Sequence, residues 1–166
     1  MRTVVVLTTL VLFLSPGASA QISPRLDARR APAPTPTSSE TTVTATHKVA
    51  IQVNQNDKAV MDLALNNAKN VIDYYKEKGE TVAVEIVTYG PGLHMLRADT
   101  SPVKERIAPM SLENPNLAFI ACGNTQANQS KAEGKPVTLI SEAKIMPSGV
   151  VRLMELQKQG YAYIRP

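Results

Sequence analysis

The chain of 166 residues has one cysteine, and its neighbours make it the first candidate for chemistry. Cys122 ends an apolar run and is followed by Gly123, Asn124 and Thr125. An ionised thiol at such a place is a nucleophile. Backbone N–H groups at the start of a helix favour the thiolate, and a glycine beside it lets another molecule approach the main chain closely. A polar, turn-forming successor is not what a core cysteine needs, although a small buried hydrophobe is the plainer reading. His94 follows the Gly90-Pro91-Gly92 turn. It is expected either to reach Cys122 across the strand ends and promote its ionisation, or to be a surface-loop histidine. Met95, Met110 and Met146 would suit a soft metal together with Cys122. Their scattered spacing points instead to core packing, and no metal site is expected.

These side chains need a scaffold to position them. Val49 to Val53 is a β-branched run read as a first strand. From Asp57 to Lys78 the period becomes helical, with Val60, Ala64, Ala68, Val71, Ile72 and Tyr75 on one stripe, a cap at Asn56 or Asp57, and a stop at Gly79. Thr81 to Tyr89 is an almost wholly apolar second strand, as a strand covered on both faces should be. Glu85 interrupts it and is read as a rim or interface position. Ser101-Pro102 predicts a helix start, with an end or kink near Pro109. Leu117 to Ala121 is a third strand, 124–133 a weakly helical polar segment, and Ala143 to Met146 a fourth strand. Pro147-Ser148-Gly149 opens a helix that Gly160 stops, and Tyr161 to Ile164 is a fifth strand. Residues 136–140 fit either a strand or a packed loop.

This alternation predicts a three-layer α/β/α domain with a mainly parallel five-stranded sheet. Ligands bind such sheets outside the carboxyl ends of the strands. The sequence therefore assigns Cys122 as the catalytic candidate, with Gly123, Asn124, Thr125, Asn54, Gly90 and His94 as candidate binding residues around it.

Charge and composition narrow the function. The formal net charge is +4, from 18 basic and 14 acidic residues. Residues 1–46 hold Arg2, Arg25, Arg29 and Arg30 against Asp27 and Glu40, so half of the excess lies outside the expected domain. Aromatic residues make up 4% of the chain, with no Trp. A nucleic-acid surface would need a basic stripe interleaved with stacking aromatics, so no nucleic-acid partner is expected. A single cysteine and two histidines leave no disulfide framework and little for a metal cluster. There is no Walker loop, G-x-G-x-x-G, H-E-x-x-H or C-x-x-C, and the turn after the first strand offers no flavin phosphate cradle. No metal or organic cofactor is expected.

The first 20 residues read as an export signal. Arg2 precedes an apolar run from Val4 to Leu14, then come Ser15-Pro16-Gly17 and the small residues Ala18-Ser19-Ala20. Residues 21–46, with Pro24, Pro32, Pro34 and Pro36 among Ala, Ser and Thr, read as a linker too poor in apolar residues to offset its ordering entropy. The domain is expected at 47–166, in a mature protein found in the periplasm or medium and free of the membrane after cleavage.

Phe119-Ile120-Ala121-Cys122-Gly123-Asn124-Thr125 resembles the signature of the DsrE/DsrF-like family, which includes sulfur-relay subunits. Tyr89-Gly90-Pro91-Gly92-Leu93, Thr100-Ser101-Pro102-Val103, Pro147-Ser148-Gly149-Val150-Val151-Arg152-Leu153 and the closing Gln159-Gly160-Tyr161-Ala162-Tyr163-Ile164-Arg165-Pro166 extend the resemblance over residues 47–166. It implies a DsrE-like, flavodoxin-like fold and a homo-oligomer, trimer or hexamer. It also implies a cysteine that carries sulfur as a persulfide and hands it to a thiol on an acceptor protein, a role that falls on Cys122. The relay members work in the cytoplasm with companion subunits, whereas this chain reads as exported, and its motif is nearer to an uncharacterised branch. Two further readings follow from the residues themselves: an oligomeric module binding a small ligand or partner at the strand ends, and a thiol redox sensor.

Overall fold

The computed structural model describes residues 45–166. The leader expected at 1–20 and the linker expected at 21–46, apart from its last two residues, lie outside the described residues. Within them the order is β1 (His47–Val53), α1 (Lys58–Glu77), β2 (Val82–Thr88), a 3-10 helix (Gly90–Leu96), α2 (Lys104–Glu113), β3 (Leu117–Cys122), α3 (Gly123–Glu133), β4 (Ala143–Met146), α4 (Gly149–Lys158) and β5 (Ala162–Ile164). The five strands form one sheet in the order β4-β3-β2-β1-β5, and every pair in it is parallel. The α/β sheet expected from the alternation is therefore present, and it is wholly parallel.

Strand order decides which face each helix covers. The chain steps from β1 to β2, β3 and β4 in one direction, then returns across the sheet to pair β5 with β1. Crossovers between parallel strands are right-handed, so the first three connections cover one face and α4 alone covers the other. The buried clusters follow that division. Met61, Ala64, Leu65 and Ala68 of α1, Leu93, Met95 and Leu96 of the 3-10 helix, and Val103 and Ile107 around α2 pack on Val49, Ile51, Val53, Val84, Ile86, Phe119 and Ala121. On the opposite face Leu153 and Leu156 of α4 pack on Ala50, Val87 and Ile120.

The local elements largely have the causes read from sequence. Asp57 caps α1 by accepting a hydrogen bond from the Ala59 N–H at 2.8 Å. Gly79, beyond the end of α1, has φ +70°, a conformation that favours glycine. The buried stripe of α1 includes Met61 and Leu65, which the expected stripe omitted.

Three expectations are corrected. The helix expected to start at Ser101-Pro102 begins two residues later: α2 starts at Lys104, after Val103 with φ −129°, while the Ser101 hydroxyl donates to the Met95 carbonyl at 2.5 Å and accepts from the Val103 N–H at 3.3 Å. Nor does α2 end at Pro109. It runs on to Glu113, since one missing N–H costs less than unseating Ile107 and Met110 from the core. Glu85 is not at a rim. It is buried on the sheet face beneath α4 and accepts from Arg152 Nε at 2.9 Å. Residues 136–140 form a packed segment laid against the chain after the 3-10 helix: Ala98 N–H donates to the Thr138 carbonyl and Ile140 N–H to the Leu96 carbonyl, each at 3.0 Å.

Candidate functional site

The connection leaving β3 runs over one face of the sheet and the connection leaving β4 over the other. Such a switch point opens a crevice at the carboxyl ends of the two strands, where ligands bind in open α/β sheets. Cys122 is the last residue of β3 and the N-cap of α3. Its partner across the ladder is Met146, the last residue of β4, and α4 begins three residues later at Gly149. By the alternation of β3, with Phe119 and Ala121 in the larger core and Ile120 in the smaller, the Cys122 side chain leaves the sheet on the α4 face.

The N-termini of two helices thus adjoin Cys122: it is the N-cap residue of α3, and a Cβ on Gly149, the first residue of α4, would lie 3.3 Å from its Cβ. Burial is the largest single influence on the Cys122 thiol and pushes it up. Hydrogen bonding from the Thr125 side chain and from the Gly149, Thr125 and Asn124 N–H groups together outweighs it and holds the thiol below its ordinary value. Cys122 is 5% exposed.

Glycine at 149 is required by space. A Cβ there would lie 3.1 Å from Tyr89 Cβ and 3.3 Å from Cys122 Cβ. Without a side chain there, α4 settles against Tyr89 and Cys122, and the Ser148 hydroxyl caps the helix by accepting from the Val151 N–H at 3.4 Å. Beside the site, Met146, Pro147, Ser148, Val151, Arg152 and Glu155 line a depression of about 160 Å³ between the β4 edge and α4.

The expected site residues divide into those the fold brings together and those it does not. Asn124 and Thr125 lie in the first turn of α3, directly after Cys122, and the Asn124 N–H donates to the Pro147 carbonyl at 3.1 Å. Gly123 is tight against its own chain, since a Cβ would lie 3.3 Å from the Met146 carbonyl oxygen. It secures the β3–β4 junction, not the approach of a second molecule. Gly90, with φ +52°, donates its N–H to Thr125 Oγ1 at 3.0 Å and accepts from Gln129 Nε2 at 3.2 Å. With the Thr125 oxygen accepting from Gly90, its O–H is left to donate toward the sulfur. Asn54 stands two strands from Cys122 and lies beside the Tyr89 side chain. His94 belongs to the 3-10 helix, which packs on the opposite face of the sheet. The expectation that it reaches Cys122 fails for that reason.

Tyr89, at a strand end, and Gly149 also adjoin Cys122, and the sequence did not single either out. Tyr89 follows β2 on the α4 face and packs against the smaller core. Burial raises its phenol, with Tyr163 adding to the effect and Arg165 and Asn54 opposing it. The Pro147-Ser148-Gly149 helix opening marked where α4 starts, but not that it ends on Cys122. Among the described residues no group of three His, Cys, Asp or Glu side chains is placed to hold a metal ion. None of their helices is long and apolar enough to cross a membrane.

The fold and site define a class: a parallel α/β protein with a thiol at the switch point of its sheet. No protein-family model matches the chain, and no curated protein matches it. A solved structure that it resembles is that of MTH1491 from Methanobacterium thermoautotrophicum, a protein of unknown function. The two are 27% identical with a TM-score of 0.61, and the match covers 72% of this chain and 99% of that one.

Proposed function

We propose that the protein is an exported sulfur carrier of DsrE/DsrF-like type, acting in the periplasm or medium through Cys122. The observation that carries this reading is the place of Cys122 at the end of β3, beside the N-termini of α3 and α4 at the switch point of the sheet; hydrogen bonding that outweighs burial holds its thiol below the ordinary value. The thiolate attacks the sulfane sulfur of a donor. A new S–S bond forms to Cys122, the donor's S–S bond breaks, and its electron pair leaves with the donor remnant. The terminal sulfur is then taken by an acceptor protein's thiolate, and the Cys122 thiolate returns. Neither step needs a metal, an organic cofactor or an external oxidant. The donors that favour the thiolate stabilise a persulfide anion in the same way.

The carrier would work as a homo-oligomer, a trimer or hexamer. Val150, Val151 and Met154 of α4 and Ile145 of β4 are about half exposed, and apolar side chains so placed favour burial between subunits. The test of function is loading. Incubation of the full chain with thiosulfate or polysulfide should add sulfur to Cys122, read by intact mass and absent in Cys122→Ser. If the native thiol takes up no sulfur and resists alkylation, while Cys122→Ser lowers the melting temperature by many degrees, the cysteine is a core residue and the site is a binding module.

A further inference from the structure

Cys122 is 5% exposed, and a thiol that exchanges sulfur with other molecules needs part of its surroundings to open. Most of those surroundings are anchored by buried apolar side chains. β3 carries Phe119, Ile120 and Ala121 in the core, α4 is held by Leu153 and Leu156, and Tyr89 and Met146 pack against the smaller cluster. The exception is α3, which begins directly after Cys122. Its apolar side chains are Ala127 and Ala132, and both are exposed. No residue of α3 is buried, whereas α1, α2 and α4 each bury apolar side chains in the core.

Polar contacts take the place of a core beneath this helix. Near its start, Thr125 Oγ1 accepts from the Gly90 N–H at 3.0 Å and the Asn124 N–H donates to the Pro147 carbonyl at 3.1 Å. In its middle, Gln129 Nε2 donates to the Gly90 carbonyl at 3.2 Å, Gln126 Nε2 donates to the Val137 carbonyl at 2.8 Å, and Ser130 Oγ accepts from the Val137 N–H at 2.9 Å. At its end, Glu133 takes both terminal nitrogens of Arg97, a residue that also holds Asp99 at 2.9 and 2.8 Å. The Gln129 Oε1 is buried with no partner among the described residues, which counts against docking. Bonds of this kind are exchanged for bonds to water when a helix lifts, so each contributes little net. An element with so little apolar burial opens at a lower free energy than the core around it.

Resting on the carrier reading above, we propose that α3 is a lid that opens on its own from the folded domain, that its opening admits other molecules to Cys122, and that the Arg97–Glu133 pair is the latch at its far end. The polar contacts of α3 break while Leu153, Leu156 and the strand cores stay packed, so the sheet keeps Cys122 in place as the first turn of the helix moves off. Glu133 is the last residue of α3 and stands about 15 Å along the helix from its first. It acts on the thiol through the helix, not by contact. Arg97 keeps Asp99 when Glu133 lets go, so opening strands no buried charge. A lid of this kind shields a loaded sulfur between transfers.

The experiment labels the full chain with iodoacetamide at urea concentrations below its unfolding transition, at a pH where native and denatured thiols are both ionised. Cys122 should react more slowly than in the denatured chain, at a rate that hardly changes with urea, because a local opening exposes little surface. Amide hydrogens of residues 126–131 should exchange with the same weak urea dependence, and those of β3 and α4 with the strong dependence of global unfolding. Glu133→Gln should speed labelling and α3 exchange about threefold, the scale of a partly exposed ion pair. Arg106→Gln, which breaks the pair with Asp62 between α2 and α1, should change neither. Labelling that follows global unfolding at every urea concentration, or that is as fast as in the denatured chain, overturns the lid. Labelling unmoved by Glu133→Gln overturns the latch. Labelling as expected, with no sulfur taken up from thiosulfate or polysulfide, overturns the carrier reading and leaves the lid standing.

Discussion

The two faces of the sheet are built differently. Under α1, the 3-10 helix and α2 lie fully buried side chains of large volume, among them Phe119, Ile51, Met61, Leu65, Ile86, Leu93, Met95 and Ile107. Under α4 the buried apolar cluster is Ala50, Val87, Ile120, Leu153 and Leu156. That face also carries Cys122, Tyr89, Gln52 and the Glu85–Arg152 pair. One helix of ten residues cannot cover five strands, and what it leaves uncovered is where polar chemistry has room. The large buried side chains are concentrated on the thick face, and the candidate thiol stands on the thin one.

Truncating the thick face should therefore produce the largest effect. Phe119→Ala is expected to cost about 3–5 kcal/mol in urea unfolding, from lost transfer energy and a cavity that cannot collapse. The native state that remains should still alkylate at Cys122 with its depressed midpoint. If thiol reactivity is lost at denaturant concentrations where the variant is folded, the two faces are not separable.

Glu85→Ala, on the thin face, comes next. It leaves the Arg152 charge, whose guanidinium pKa the Glu85 carboxylate raises, with only the exposed Glu155 at 3.6 Å. The loss is expected near 3 kcal/mol, because an unpaired, largely buried charge is costly. Converting the pair together to Met and Leu should recover most of it. A double variant as unstable as the single one would mean that the pair orients α4 instead.

Gly149→Ala tests how the thin face makes its thiolate. The added methyl group meets Tyr89 and Cys122 at 3.1 and 3.3 Å, so α4 must back away at a cost of about 1–3 kcal/mol. The start of α4 then moves away from Cys122, and the alkylation midpoint should rise toward that of the denatured chain. Instability with an unmoved midpoint would assign the low thiol to α3 alone.

The smallest effect is a pH dependence. The thiol is held below its unfolded value, so the native state gains stability as pH rises through the folded value and keeps that gain above the unfolded one. The melting-temperature advantage of the native chain over Cys122→Ser should therefore grow from neutral pH toward the ordinary thiol range and then level off. Thr125→Val should shrink it. An advantage that falls over that range would put the sulfur in an apolar setting.

Much of the fold was legible because each element carries its own local cause. β-branched runs mark β1 and β2 and an apolar run marks β3, the 3.6-residue period marks α1 and α4, and Gly79, Gly134 and Gly160 stop helices where φ is positive. Local cues misled where tertiary contacts outvoted them, as at Pro109, where core packing carries α2 through, and at Ser101, whose hydroxyl serves the preceding loop. Glu85 looked misplaced because its partner is 67 residues away.

For the site, sequence alone determined that a nucleophile-capable thiol ends a strand and precedes a helix, since both are properties of residues adjacent in the chain. It did not determine which side chains share that thiol's face. Whether His94 or Tyr89 stands near Cys122 depends on strand order and on the right-handed sense of the crossovers, which place the 3-10 helix on one side of the sheet and α4 on the other. The start of α4 adjoins Cys122 only because the switch point between β3 and β4 brings two helix starts to one crevice. That convergence comes from how separate segments pack together, and no stretch of the chain read by itself contains it.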